Sequence, residues 1–141
     1  MSRWLNRFQP WGVTLLRLIL GAAMLYHGWS KVIPEGGFHH RNTFTALDHF
    51  RHYVAGLGLP GWLAYISAFT EFAGGICLLL GLFTRFFAFL AVINMLVVIV
   101  MVNLRNGYEA TEYSLALAAI ALMLLFAGSG KAALDRKLGL T

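Results

Sequence analysis

Apolar positions in this chain fall into long blocks rather than alternating, and the blocks have the length of membrane helices. They cover residues 11–31, 59–82, 85–104 and 112–129. One bilayer crossing takes about 20 apolar residues. The stretch 59–104 is almost continuously apolar and exceeds two such lengths, so it must fold back on itself. Its one polar interruption is Gly81-Leu82-Phe83-Thr84-Arg85, which starts with a helix-ending glycine. The fourth block is short for a crossing, so its interfacial ends extend to Glu112 and Gly128. Tryptophans Trp11 and Trp29 bracket the first block, as an interfacial aromatic belt would.

Between the first two blocks the pattern changes. After a Pro34-Glu35-Gly36-Gly37 turn, Phe44, Leu47, Phe50, Val54 and Leu57 recur every three or four residues, the spacing of one helix face. Asp48, His49, Arg51 and His52 fall on the other side. This predicts a short amphipathic helix on the bilayer surface or capping the bundle. The expected fold is an all-α membrane protein. It is an antiparallel four-transmembrane-helix bundle, one domain over 1–141, with that short helix between spans 1 and 2.

Composition sharpens this picture. Of 141 residues 59% are hydrophobic and 12% charged, with mean hydropathy +0.70. A soluble domain carries about 25% charged residues. The net charge of +5 comes from lysines and arginines flanking the blocks, with no basic run of the kind that binds nucleic acid. With both termini on one side, that side holds Arg3, Arg7, Arg85, Lys131, Arg136 and Lys137. The other holds Lys31, Arg41, Arg51 and Arg105, plus the acids Glu35, Asp48, Glu109 and Glu112. The bias favours cytoplasmic termini. Arg17 inside the first block and the lack of a small-residue cleavage site favour a retained span over a signal peptide. The single cysteine, Cys77, excludes an internal disulfide or a two-cysteine redox pair.

The polar residues inside the blocks are the candidate chemistry. A charge at bilayer depth costs about 2.5–3.5 kcal/mol on insertion scales, so it faces the bundle and seeks a partner. Arg17, Gly21, Met24, Gly28 and Lys31 form one stripe on the first span, with His27 beside it. Ser67, Glu71, Gly74, Gly75 and Leu78 form another on the second. Glu71 and Asn94 sit near mid-span and Arg17 a few residues to the cytoplasmic side of it; similar depth in an antiparallel bundle predicts an Arg17–Glu71 ion pair, either a structural staple or a ligand contact. His27 and Lys31 are one turn apart toward the non-cytoplasmic face. Glu109, Glu112 and Tyr113 lie at the same level, and together they suggest a mouth or pocket. His39, His40, His49 and His52 are weak metal candidates whose spacing matches no standard zinc pattern. A haem between two spans would need a histidine on each, and only span one has one. Nucleotide loops, nucleophile elbows and HExxH motifs are absent.

The ordered set LLRLILG, HGWSK, LGLP, AYISAFTEFAGG, GLFTR and GSGK…LD resembles the DoxX family of small bacterial membrane proteins. The resemblance runs from about Thr14 to Leu138. Arg17, His27, Gly28, Lys31, Glu71, Gly74, Gly75, Gly81, Phe83, Thr84 and Arg85 stand at matching positions. Gly128-Ser129-Gly130 replaces the Gly-Pro-Gly frequent in that family. The resemblance implies a four-helix protein of the bacterial inner membrane and a role as membrane subunit of an oxidoreductase complex that meets a quinone.

Three functions follow as expectations. In the first, a redox-complex subunit receives a quinone-like apolar molecule between its helices. Arg17, His27, Lys31, Glu71, Asn94 and Tyr113 are then its candidate contacts. In the second, a non-catalytic scaffold docks a partner protein through the amphipathic helix, the charges acting as staples. In the third, an oligomeric small-molecule or metal-handling protein uses the loop histidines. No reacting centre is identifiable, so catalysis by this chain alone is not expected. The partners expected are the lipid bilayer and a protein or second copy, with no nucleic acid.

Overall fold

The computed structural model describes residues 2–33 and 44–140, and among them it is all helical with no strand. A short α1 (Ser2–Leu5) leads into α2 (Gln9–Val32), followed by α3 (Thr45–Gly56), α4 (Leu63–Leu80) and α5 (Thr84–Met101). A 3₁₀ turn (Asn103–Asn106), α6 (Tyr108–Ala127) and α7 (Leu134–Leu138) complete the chain. Among the described residues α4, α5 and α6 are long and apolar enough to cross a membrane. The longest helix, α2, has 24 residues, or about 36 Å at 1.5 Å per residue. It is more polar because it carries Arg17, His27 and Lys31.

The turn from α4 to α5 has one local cause and one distant one. Gly81 closes α4 in the left-handed conformation at φ 68°, with Gly81 N–H and Leu82 N–H donating to the carbonyls of Leu78 and Cys77. Phe83 also lies at positive φ (49°), a costly conformation for a side chain with a Cβ. It is held there by a distant residue: the carboxylate of Asp135 accepts the Phe83 N–H at 2.6 Å and the Thr84 N–H at 2.8 Å. Asp135 thus caps α5 from beyond α6. Gly107 precedes α6, whose helix begins before Glu112, so the fourth apolar block gains a first turn that its hydropathy does not show.

Packing follows the small residues. A Cβ on Gly75 would lie 2.6 Å from Leu25 N, one on Gly21 3.0 Å from Leu79 N, and one on Gly28 would collide with the backbone of Phe72. Residues rising along α2 therefore meet residues falling along α4, and the two run antiparallel with backbones in close contact. Side chains link α4 to α5 through Ser67, Glu71 and Asn94, and α5 to α6 through Asn103 and Ser114. The interior is filled by Leu20, Met24, Leu78, Ala91, Ala121 and Leu124. The outer surface is apolar too, with Leu15, Ile66, Phe69, Phe86, Leu96 and Phe126 exposed. Helices apolar on both faces suit lipid surroundings rather than water.

Candidate functional site

The amphipathic segment is a helix, α3, and it packs on α4 and α2 rather than standing apart. Its Phe50, Tyr53 and Val54, with Leu57 just beyond, form one wall of a cavity of about 300 Å³. The other walls come from α4 (Leu63, Ile66, Ser67, Thr70) and α5 (Leu90, Ile93, Asn94, Val97, Met101). The lining is mostly aliphatic and aromatic. A cavity of this size, apolar with a few converging polar groups, is the usual form of a small-molecule site.

Those polar groups form one chain of contacts. Lys31, in the last turn of α2, enters the cavity with Nζ 2.5 Å from Glu71 Oε2 and 4.3 Å from the centre of the Phe50 ring. Asn94 Nδ2 donates to Glu71 Oε1 at 2.8 Å, and Ser67 Oγ donates to Asn94 Oδ1 at 2.8 Å. Glu71 is 2% exposed, so its charge is compatible with the interior only because Lys31 neutralises it and Asn94 orients it. The ammonium has three N–H donors, and Glu71 and the Phe50 face leave capacity for a ligand acceptor.

Arg17 lies elsewhere, and the expected Arg17–Glu71 ion pair is not formed. The glycine register sets Gly28 against Glu71 and Phe72. Arg17, eleven residues earlier, is about 16 Å further along α2 at the helical rise of 1.5 Å. There it is 2% exposed, donating from Nη1 to the Ser129 carbonyl at 2.8 Å and from Nη2 to the Ala132 carbonyl at 2.6 Å. Asp135 is the carboxylate whose field reaches it. The segment after α6 is tied down further by Thr14, whose hydroxyl accepts the Lys131 N–H at 3.1 Å, and by Asp135 N–H donating to the Gly81 carbonyl at 2.8 Å. The node joins the start of α2, the α4–α5 turn and the C-terminal segment. It is a structural clasp and shares no residue with the cavity.

His27 and Lys31, expected to share a mouth, point different ways. His27 is exposed and lies against Tyr113 of α6, ring centroids 5.8 Å apart, while Lys31 turns toward α4. Neither His27 nor Tyr113 lines the cavity. Glu109 and Glu112 are exposed at the start of α6. His49 and His52 are exposed on α3, and His52 Nδ1 contacts the Asp48 carbonyl at 2.7 Å. His39 and His40 lie outside the described residues. Among the described residues no three His, Cys, Asp or Glu side chains gather as a metal site.

The stretch 31–102, which supplies every residue lining the cavity, is contained in a longer segment that known proteins share. The family model DoxX matches residues 12–104. The chain belongs to the DoxX family. This DoxX protein is 28% identical over 132 residues to "Putative oxidoreductase CatD" of Bacillus subtilis (strain 168), covering 93% of this chain and 90% of that one. No solved structure matches it. The matched family segment runs from Gly12 in α2 to the end of α5 and leaves out α6 and the clasp's C-terminal half.

Two contributors to the DoxX cavity were harder to foresee. Ser67 sits on the predicted stripe with Glu71, but its link to Asn94 requires knowing that α5 faces α4. Phe50 belongs to the apolar face of α3, and the partner it meets, Lys31, is on another element.

Proposed function

We propose that this DoxX protein is a multi-pass membrane subunit of an oxidoreductase complex that binds a quinone-like apolar molecule in the cavity between α3, α4 and α5. The observation that carries the reading is the apolar cavity ending in the Lys31–Glu71–Asn94–Ser67 chain. A quinone is a flat apolar ring with carbonyl acceptors. The Lys31 ammonium supplies a donor to such an acceptor, while Phe50, Ile93, Val97 and Met101 supply ring and tail contacts. When bound, a quinone supplies two-electron acceptance. The residues of this chain bind and orient it, exclude water, and keep a proton-bearing ammonium beside the carbonyl. The electron donor belongs to a partner protein, consistent with the oxidoreductase name of the Bacillus relative.

In this reading α2, α4, α5 and α6 all cross the bacterial inner membrane, with α3 on the outer side and the termini cytoplasmic. The flanking basic residues, six on the side of the termini (Arg3, Arg7, Arg85, Lys131, Arg136, Lys137) against four on the other (Lys31, Arg41, Arg51, Arg105), support that orientation. The polar residues of α2 turn into the bundle at Arg17 and Lys31, which makes its crossing tolerable.

Titration of the purified protein with a short-tailed ubiquinone or menaquinone analogue, followed by tryptophan and tyrosine fluorescence, tests the reading. Saturable binding that weakens about tenfold or more in Lys31→Met, and is unchanged in His27→Ala, is expected. Absence of saturable binding by the folded wild-type protein overturns it.

A further inference from the structure

The end of the molecule opposite α3 holds a second cavity, of about 390 Å³. It is walled by the start of α2 (Gln9, Pro10, Val13), by Arg85 of α5, by the 128–130 turn, and by Arg136 of α7. Its chemistry is the reverse of the first. Arg85 and Arg136 are exposed, and among the described residues neither forms an ion pair. The acid nearby is Asp135, and both its carboxylate oxygens are already committed to the Phe83 and Thr84 N–H groups. Arg85 has only a long contact, 3.5 Å, from Nη2 to the Phe126 carbonyl. Ser129 also lines the cavity. It is 2% exposed, and its hydroxyl has no hydrogen-bond partner.

Two guanidinium groups with unused donors and a buried unpaired hydroxyl describe an oxyanion site without its oxyanion. The N-terminus of α2, which has no side-chain cap, lies at this end, so its helix dipole adds positive potential. Planar guanidinium forks match phosphate oxygens two at a time, which a single carboxylate would not exploit at both arginines. Depth points the same way. Arg85 directly precedes the exposed apolar Phe86 and Phe89 of α5, so it stands where hydrocarbon gives way to headgroups. We propose that this cavity binds a phosphate oxyanion, supplied by an anionic phospholipid headgroup or by free phosphate. Arg85 and Arg136 clamp it, and the Ser129 hydroxyl donates to it.

The test is calorimetric titration of the purified protein in an uncharged detergent, with three probes: short-chain phosphatidylglycerol, short-chain phosphatidylcholine and inorganic phosphate. One saturable site for phosphatidylglycerol or phosphate is expected. Affinity should fall about tenfold or more in Arg85→Gln/Arg136→Gln and severalfold in Ser129→Ala. It should change less than twofold in Lys131→Gln/Lys137→Gln, which removes the same charge at the same end but outside the cavity. Tighter phosphatidylglycerol binding identifies the lipid as the source, and tighter phosphate binding identifies the free anion. Failure of both anions to bind overturns the proposal. So does equal weakening by the lysine and arginine pairs, since that is diffuse attraction rather than a site. If Arg85→Gln lowers folded yield, the exposed Arg136→Gln and the Ser129→Ala variant carry the same comparison.

Discussion

At the scale of single residues, the defining feature is how two buried charges are neutralised by different means. Glu71 has an ionic partner and an amide, whereas Arg17 has two backbone carbonyls and the more distant Asp135. Removing one member of a buried pair leaves the other charge uncompensated, at a cost of about 3–5 kcal/mol. Lys31→Met and Glu71→Leu are each expected to lower the thermal unfolding temperature in detergent clearly. The double variant Lys31→Met/Glu71→Leu should recover most of that loss while lacking ligand affinity. Additive destabilisation in the double variant would show that the two side chains do not act as a pair. That Arg17, Lys31, Glu71 and Asn94 face protein rather than lipid was legible from the sequence, because lipid would not accept them. Which charge meets which was not. It depends on a register set by contacts of Gly21, Gly28 and Gly75 with the facing backbone, which puts Gly28 rather than Arg17 at the level of Glu71.

Among the elements, glycine contacts and one long-range cap hold the bundle in register. Gly75 has no room for a Cβ against Leu25, while Gly12 has nothing within 4 Å. Gly75→Val is therefore expected to force α2 and α4 apart and to reduce folded yield sharply. Gly12→Ala should leave yield and unfolding temperature unchanged or slightly raised. Size-exclusion profiles and thermal scans of the two variants make the comparison. Asp135→Ala removes both acceptors at the start of α5 and should cost about 1–2 kcal/mol. Hydrogen exchange should rise over the α4–α5 turn and the first turn of α5, and stay unchanged in α3. Exchange rising only in the C-terminal segment would mean that Asp135 anchors its own segment without capping α5. The apolar face of α3 was readable from its three- and four-residue spacing, but its role as a cavity wall was not. Amphipathicity tells that a face is covered, and only the fold tells that Phe50 and Val54 leave a gap opposite α4 and α5. The capping by Asp135 was equally hidden, since 51 residues separate it from Thr84.

For the whole molecule, polarity is divided along the long axis. One end carries the clasp and the basic residues Arg85, Lys131, Arg136 and Lys137, and the other carries α3 and the apolar cavity with its neutralised charge pair. Under the proposed topology, with Cys77 replaced by Ala, Arg7→Cys and Lys137→Cys should react with a membrane-impermeant thiol reagent only in inverted vesicles. Arg51→Cys and Arg105→Cys should react in right-side-out ones. The same side reacting for all four would refute an even number of crossings with α3 outside. The helical content and the apolar outer surface follow from composition alone. The division of labour between the two ends does not, because it arises from where the chain returns after α6.

A quinone-like molecule that enters between α3, α4 and α5 must lie against the residues lining that cavity. A photoreactive short-tailed quinone, activated in the purified protein and located by peptide mass spectrometry, reports whether it does. Adducts are expected on residues lining the cavity, such as Phe50, Ile66, Val97 and Met101, and excess unlabelled quinone should suppress them. They should be reduced about tenfold or more in Lys31→Met. Adducts confined to the His27–Tyr113 surface of α2 and α6, or spread evenly over the lipid-facing residues and insensitive to competition, would contradict that placement.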